Sequence, residues 1–413
     1  MFESGIEIIR NYCNPLTLLA PLGGEKLPST NSFACRPKMQ YIMYTCTFRP
    51  LSKDISMTFL TNPRFEHARS MWDRFWADEP LPRPLVVASV VDHVKRQDRN
   101  IWYGYQQAME GRYGEALDHI DNALACTEYF GEAVPFFSPD HGPDQFAAFL
   151  GADFHSARDT TWASPVVADW EKFLPFALKE DNPIWKSYLA FSRALAGHSQ
   201  GRYVVGMADL HSNIDTLAAL RGPQQLCMDL YECPELIERA TVQARALFPV
   251  IYNRIFTAGG MENSGSVGWI PFWCQGKYAS IQADFICMVS PDMARRFIIP
   301  ALEEEATFLD HCIYHLDGPG ALAHLDDLLS ITCLDAIQWI PGAGQPPQWE
   351  WIEILQKCQK AGKKLQLLDV PSLEVVKLLH KNLEPKGLVY CLSGMGREDI
   401  LRVIEWIEKN PKF

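Results

Sequence analysis

The sequence predicts an α/β protein with the architecture of a (β/α)8 barrel. Apolar, strand-like runs alternate with amphipathic helical stretches about eight times, which favours a parallel sheet with helical crossovers. The run LVVASVV at 85–91 is continuous and β-branched, as is typical of a strand buried on both faces. No GxGxxG motif follows this run, which weakens the alternative of a doubly wound, dinucleotide-binding sheet.

The chain divides into two predicted parts. Residues 1–56 contain short apolar patches with several Pro, Gly and Ser and no sustained periodicity, so we predict an N-terminal extension there. A start codon assigned upstream of the true one would give the same pattern, because Met57 opens the better-patterned region. Residues 57–413 show no evident break and are predicted to form the barrel domain.

Hydrophobic periodicity predicts the elements in order. The first helix covers 65–76, with apolar residues at helical spacing, and the first strand is 85–91. Further strands are predicted at 133–137, 151–155, 203–210, 268–273, 279–289, 311–318, 334–341, 364–370 and 387–394. Further helices are predicted at 113–130, 144–150, 185–198, 214–222, 234–256, 290–309, 321–330, 349–362, 373–382 and 397–410.

Composition excludes several classes of partner. A net charge of −12 argues against nucleic-acid binding, which needs clustered Lys and Arg. The sequence contains neither a basic amphipathic run nor a long apolar segment, so it does not predict membrane attachment. The 12 cysteines form no CxxC pair, and several lie in apolar runs, so we expect reduced, buried thiols and a cytoplasmic protein. The partner that remains is a small-molecule substrate; the oligomeric state stays open.

Polar and aromatic residues recur where the predicted strands stop. In a (β/α)8 barrel the carboxyl ends of the strands carry the functional groups, so we predict a polar, aromatic-lined pocket there. The candidates for catalysis are Asp140, Asp209, His211 and Asp284, and those for substrate binding are Trp269, Gln338 and Trp339. Each has an alternative structural role, since Asp is common in turns and tryptophans more often pack than bind.

The segment IYHLDGPG places His315 and Asp317 two residues apart on one strand, so they share a face. The pair is suited to metal binding or proton transfer. Equally, His315 could bond a neighbouring loop and Asp317 could cap the following helix. Both interpretations stay open on the residues alone. Cys391, at the end of the last predicted strand, is by its local context more typical of a buried core thiol.

Four stretches resemble the uroporphyrinogen decarboxylase superfamily from about Phe65 onward. They are FFSPDHGPDQFAAFLGADF, YVVGMADLHSNIDTLAALRG, IQADFICMVSPDMARRFIIPALEEE, and HCIYHLDG followed by LDAIQW. The resemblance implies a (β/α)8 barrel. In the decarboxylases, which use no cofactor, an arginine in an Arg-Gln-Ala-Gly stretch holds substrate carboxylates. That stretch is missing here, and Asp140 is the best match to their catalytic aspartate.

The corrinoid and coenzyme M methyltransferases of the same superfamily bind zinc through His-x-Cys and a distant Cys. His315 matches the histidine, Asp317 stands in place of the first Cys, and Cys391 lies near the place of the second. All three are legitimate zinc ligands, and three protein ligands with one open position is a catalytic arrangement. The resemblance therefore implies metal-assisted transfer of a methyl or other group, with a corrinoid protein or a thiol as acceptor.

Three alternatives remain. The first is a cofactor-free, uroporphyrinogen-type decarboxylase with Asp140 against the pyrrole. The second is a lyase or hydrolase for a sugar-like ligand, suggested by the 12 tryptophans and the strand-end carboxylates. The third is a barrel that binds a ligand without turning it over.

Overall fold

The computed structural model describes residue 60 and residues 62–93, 110–156 and 161–411. The predicted N-terminal extension, 1–56, lies outside the described residues. The described ranges contain thirteen strands: β1 Leu85–Val91, β2 Thr127–Gly131, β3 Phe136–Phe137, β4 Asp153–Ser156, β5 Thr161–Ser164, β6 Val204–Val205, β7 Ser266–Val267, β8 Trp273–Cys274, β9 Tyr278–Ile281, β10 His311–Asp317, β11 Ala336–Ile340, β12 Lys364–Val370 and β13 Leu388–Leu392.

Fifteen α-helices lie within the described ranges. They are α1 Pro63–Trp76, α2 Tyr113–Cys126, α3 Gln145–Phe149, α4 Trp170–Phe173, α5 Pro183–Ser199, α6 Ile214–Arg221, α7 Pro223–Glu232, α8 Pro234–Ala258, α9 Met261–Ser264, α10 Pro291–Phe297, α11 Ile299–Phe308, α12 Leu325–Ser330, α13 Ile352–Lys360, α14 Leu373–Asn382 and α15 Arg397–Lys409. Short 3-10 helices cover Asp284–Met288, Pro319–His324 and Gln348–Glu350.

Seven strands form one sheet in the order β2-β1-β13-β12-β11-β10-β9. Every neighbouring pair is parallel except β1 with β2, which is antiparallel. The described hydrogen-bond ladder does not close on itself. Strands β3 and β6 form a separate parallel pair, and the backbone N–H of Met207, just after β6, donates to Val267 O in β7 at 2.7 Å. The molecule is thus an α/β protein with a mostly parallel sheet, as predicted.

The two faces of the sheet belong to two apolar cores. On β10, Tyr314 and Leu316 pack into the large core beneath the helices, whereas Ile313 packs into a second core on the other face. Because side chains alternate along a strand, His315 shares the face of Ile313. The same alternation places Cys391 in the second core. This second face carries the polar side chains described below.

Several predicted elements differ from the observed ones. Residues 127–130 form strand β2 rather than the end of a helix, because they pair antiparallel with β1. The predicted helix 290–309 is two helices that meet at Ile298, since Pro300 has no N–H for the helical ladder. The predicted strand 203–210 is hydrogen-bonded as a strand only at Val204–Val205. The chain beyond it turns away and delivers Asp209 and His211 as a loop.

Two further findings bear on the composition-based predictions. The nine cysteines in the described ranges are all free thiols, and five of them are buried. Among the described helices, none has the length and apolar character needed to cross a bilayer.

Candidate functional site

Asp209 and His211 form a hydrogen-bonded pair in the loop between β6 and α6. His211 Nε2 lies 3.0 Å from Asp209 Oδ2, and both side chains are buried. The loop is tied to the start of α6, because the Thr216 hydroxyl donates to His211 O. A carboxylate on Nε2 fixes the ring orientation and places the proton on that nitrogen. The sequence predicted both residues for the site, and the structure brings them together.

Asp215, in the first turn of α6, joins this loop to the segment that carries Asp284. Its Oδ2 accepts from the N–H of Asp284 and its Oδ1 from the N–H of Phe285, both at 2.9 Å. The same Oδ2 lies 3.7 Å from His211 Nδ1. Asp215 therefore fixes the 3-10 turn at Asp284–Met288 against the histidine loop. Sequence reasoning missed Asp215, which looked like an ordinary acidic residue in a first helical turn.

His211, Asp215 and Asp284 each offer one ligand atom, and these atoms lie within 4.8 Å of one another. His211 and Asp215 are buried, whereas Asp284 is exposed to solvent although protein atoms surround its carboxyl. That combination is typical of a side chain lining a recess. The cluster is thus reachable from solvent on the Asp284 side.

Burial and neighbouring charges shift the pKa values in this cluster. Burial, together with the Asp284 charge, raises the pKa of Asp215 to about 6, and burial also raises that of Asp284. For His211, burial opposes the charged ring. The charge and hydrogen bond of Asp209, with the charges of Asp284 and Asp215, outweigh this and raise its pKa well above the ordinary value. The carboxylates around His211 therefore stabilise a positive charge at this position.

Asp140 lies in the loop after β3, and its charge interacts with those of Asp209 and His211. It accepts from Gly142 N at 2.9 Å and from Gln145 Nε2 at 2.7 Å. Burial raises the pKa of Asp140 to about 6; the two hydrogen bonds lower it and the charge of Asp209 raises it further. Gln145 Nε2 also donates to Asp209 O at 2.9 Å, so one amide ties the two loops together.

A row of polar side chains crosses four neighbouring parallel strands. His315 Nδ1 donates to Gln338 Oε1, Gln338 Nε2 to Gln366 Oε1, and Gln366 Nε2 to Cys391 Sγ, at 2.5, 2.5 and 3.3 Å. The register sets this row, because His315 pairs with Gln338 and Gln338 with Gln366. All the donors point from β10 toward β13, which fixes the tautomer of His315 with its proton on Nδ1.

The predicted zinc ligands do not converge. Two glutamine side chains stand between His315 and Cys391, and these amides occupy His315 Nδ1 and Cys391 Sγ. Within the described residues, His315, Asp317 and Cys391 are not a group whose ligand atoms meet. Asp317, at the end of β10, is half-buried, and the Cys287 thiol donates to its backbone carbonyl. This donor set does not fit zinc, and no step is assigned to it.

The predicted aromatic residues lie on different faces of the sheet. The Trp269 ring packs edge-on against His315 with ring centres 5.0 Å apart, and its buried Nε1 has no partner. Trp339 alternates with Gln338 and so lies on the helix side, where it packs against Trp351. Trp269 is therefore beside the polar row, whereas Trp339 has the position of a packing residue.

The site also contains buried polar residues that sequence reasoning passed over. Gln282 precedes the turn at Asp284, and its side-chain amide contacts the His211 ring, with Gln282 Nε2 2.5 Å from His211 Nε2. Gln366 completes the polar row. Glu305, on α11, accepts from Ser212 Oγ at 2.6 Å and supports the histidine loop from below. A polar residue inside an otherwise apolar run, such as the glutamine in KLQLLDV, is the signal that could have indicated Gln366.

A mostly parallel sheet with an acid–histidine cluster beside its strand ends defines an α/β protein with a buried polar site. No protein-family model matches the sequence, and no curated protein matches it. Among solved structures, 18 chains match. One is a methyltransferase from Methanosarcina mazei, with a TM-score of 0.51 and 11% sequence identity over 83% of this chain and 98% of that chain. At this identity the likeness shows a shared fold.

Proposed function

We propose that this protein is an enzyme that transfers a methyl or another small group from a small-molecule substrate. The observation that carries the proposal is the Asp209–His211 pair, which faces Asp215 and the exposed Asp284 in one acidic recess. The fold likeness to a methyltransferase supports methyl as the group transferred. The resemblance of the sequence to the uroporphyrinogen decarboxylase superfamily supports the same class, with a thiol or a corrinoid protein as acceptor.

The proposed architecture is a (β/α)8 barrel. The parallel strands β9 to β13 and β1 supply six neighbouring strands, and the parallel pair β3 and β6 would supply the other two. Eight parallel strands are the number that such a barrel needs. The contact from Met207 to Val267 supports a wall that continues from β6 toward β9.

Asp140 is the proposed general acid and base. When a nucleophile takes the methyl carbon, the departing heteroatom needs a proton, and a carboxyl with a pKa of about 6 can supply and recover one near neutral pH. Asp209 orients His211, and Trp269 with the row from His315 to Cys391 forms the proposed substrate-binding wall. Trp339 contributes only through packing in this proposal.

The acidity of the recess determines which substrates suit it. Five carboxyls lie near one another here, namely Asp140, Asp209, Asp215, Asp284 and Asp317, with charge interactions linking them in pairs. Such a site attracts cations and repels carboxylates. A substrate with several carboxylates, as in porphyrinogen decarboxylation, is therefore less suited to it than a neutral or cationic methyl donor.

Methyl transfer can be tested with a panel of O-, N- and S-methyl donors carrying ¹³C in the methyl group. A small thiol or free cob(I)alamin serves as acceptor, and ¹³C NMR follows the label. We expect transfer with at least one donor and a loss of at least 100-fold in the Asp140→Asn protein. Asp144→Asn is the matched control, because that carboxylate lies in the same loop but accepts from Ala163 N.

Transfer that is unchanged by Asp140→Asn would contradict the assigned role of Asp140. Release of CO₂ from carboxylated substrates without any label transfer would instead favour the decarboxylase.

A further inference from the structure

We infer that His211, Asp215 and Asp284 bind one divalent transition-metal cation, with Asp209 as the group that orients the histidine. The inference deepens the proposed function, on which it rests only for the reaction that the cation would serve. It differs from the zinc set implied by the family resemblance in every ligand. The donors come from the β6–α6 loop, the first turn of α6 and the turn after β9.

The geometry of the three donors suits a metal ion. Ligands at about 2.0–2.2 Å from a zinc-type ion are about 3–3.6 Å apart, and here His211 Nδ1 and Asp215 Oδ2 are 3.7 Å apart. All three donor atoms lie within 4.8 Å of one another. A movement of about 1 Å by the exposed Asp284 side chain would complete a three-ligand face with an open side.

The orientation of His211 also suits metal binding. Its Nε2 faces Asp209 Oδ2 at 3.0 Å and its Nδ1 faces Asp215, so a cation at the cluster would take the place of the proton on Nδ1 while Nε2–H keeps donating to Asp209. A carboxylate on the far nitrogen is the usual support of a metal-binding histidine, because it fixes the ring and strengthens the ligand. Asp209 has that position.

A second observation is independent of the donor cluster. A buried oxygen on a side chain that touches His211, Asp209 Oδ1, has no hydrogen-bond partner in the described structure. Asp209 is only 7% exposed. A buried oxygen left without a donor is unfavourable. Water bound to a cation at the adjacent cluster would supply that donor.

The donor types indicate which cation binds. One imidazole and two carboxylates form a mixed nitrogen and oxygen site, which accepts Zn²⁺ and Mn²⁺ and has no thiolate to favour soft ions. Zn²⁺ should bind more tightly than Mn²⁺, following the general order for divalent metals. Bound there, the cation would polarise an oxygen or nitrogen of the substrate at the open position.

The test is metal binding by the full-length protein after treatment with a chelator. Titration calorimetry with ZnCl₂ and MnCl₂, and Mn²⁺ EPR, should show one site per chain. Asp284→Asn should weaken binding at least 10-fold, and Asp209→Asn 10- to 100-fold. Asp292→Asn is the control for charge, because that exposed carboxylate pairs with Arg295 on α10.

Asp284→Asn is the primary variant because its side chain is exposed, whereas Asp215 supports two backbone N–H groups and its loss could prevent folding. Circular dichroism checks that each variant is folded. Wild type that binds neither ion at millimolar concentration, or Asp284→Asn and His211→Ala proteins that bind as wild type does, would overturn the inference. So would binding that is lost in Asp317→Asn and Cys391→Ser but kept in Asp284→Asn.

The two proposals fail separately in these experiments. Stoichiometric metal binding without any methyl transfer would contradict the proposed function and support the metal site. Methyl transfer by a chelator-treated protein that binds no metal would do the reverse.

Discussion

Asp140 is held by two amide donors yet keeps a pKa of about 6, because burial and the charge of Asp209 act against ionisation. Hydrogen bonds from Gly142 and Gln145 orient the carboxyl without stabilising its charge enough to return the pKa to the ordinary range. The carboxyl therefore changes its protonation state in the pH range where most enzymes work.

The titration of Asp140 can be observed directly. With ¹³C-labelled aspartate, we expect a carboxyl resonance that moves with a midpoint near pH 6 in the wild type and is missing from Asp140→Asn. Because folding raises the pKa of Asp140 from 3.8 to about 6, the folded protein keeps this proton between these two pH values, whereas the unfolded chain loses it. A spectrum in which Asp140→Asn removes only a resonance titrating near pH 4 would contradict this. The Asp144→Asn protein should keep the resonance near pH 6.

Single residues show where sequence reasoning reaches its limit. The spacing of Asp209 and His211 placed both at one site, because only one residue separates them. The proposed link from His315 to Cys391 spans four strands, and the glutamines on β11 and β12 that lie between them become visible only through the strand register. Contacts across a sheet depend on pairing, which one sequence does not reveal.

At the scale of elements, α11 supports the histidine loop through one buried carboxyl. Glu305 accepts from Ser212 Oγ and Asn213 Nδ2, and Asn213 Nδ2 also donates to Gln282 O at 2.7 Å. Burial raises the pKa of Glu305 to about 8 despite these hydrogen bonds. The helix is therefore linked to both segments of the site through a group that is protonated at neutral pH.

This linkage predicts a pH dependence of stability. In the unfolded chain Glu305 loses its proton near pH 4.5, whereas in the folded state it keeps it until about pH 8. The folded state therefore loses stability as the pH rises between these values, by up to about 1.4 kcal/mol per pH unit.

In the Glu305→Gln protein the free energy of unfolding should fall less between pH 5 and 8 than in wild type, as measured by urea denaturation. Glu304→Gln is the matched control, since that exposed neighbour pairs with Arg245. Equal pH slopes for the wild type and Glu305→Gln would show that Glu305 is ionised in the folded protein.

Elements with strong local patterns are predicted well. The strands at Leu85–Val91 and Lys364–Val370 and the helix at Leu373–Asn382 have the predicted bounds. Prediction fails where tertiary pairing decides, as at Thr127–Gly131, which becomes a strand because β1 offers a free edge. It also fails for the predicted strand 268–273, because residues 268–272 form a loop between the short strands β7 and β8.

At the scale of the whole molecule, one buried ion pair joins the segment before β1 to the segment after β2. Arg83, before β1, donates to both oxygens of Glu132 at 2.9 and 2.8 Å, and Glu132 also accepts from Val86 N. Arg83 further lies 3.5 Å from Glu408 on α15. Trp72 of α1 donates to Glu132 O, so these contacts connect α1, β1, β2 and α15.

Removing Glu132 leaves the buried Arg83 with the exposed Glu408 as its remaining acidic partner. We expect Glu132→Gln to lower the free energy of unfolding by about 3–5 kcal/mol. The matched variant Glu408→Gln, which removes an exposed partner of the same arginine, should lower it by about 0–1 kcal/mol. Urea denaturation of both proteins measures the difference. A loss below 1 kcal/mol in Glu132→Gln would mean that solvent reaches Arg83.

The α/β class and the mostly parallel sheet follow from the alternation of apolar runs and helices in the sequence. The antiparallel edge strand β2 and the separate pair of β3 with β6 do not, because both depend on contacts between distant segments. The sequence does not predict how the shortest strands join the sheet, because two-residue strands such as Phe136–Phe137 carry too little pattern to indicate their neighbours. A closed barrel is therefore a proposal.

The pairing of β1 with β13 has a consequence for synthesis of the chain. Leu85 of β1 pairs with Val389 of β13, which lies roughly 300 residues later in the chain. Synthesis of that length takes about 15–60 s, so β1 leaves the ribosome long before its parallel partner does. An apolar strand with open edges is exposed to association with other nascent chains during that time. Strand β2 follows β1 closely and can cover one edge early. The other edge is where we expect a chaperone to act.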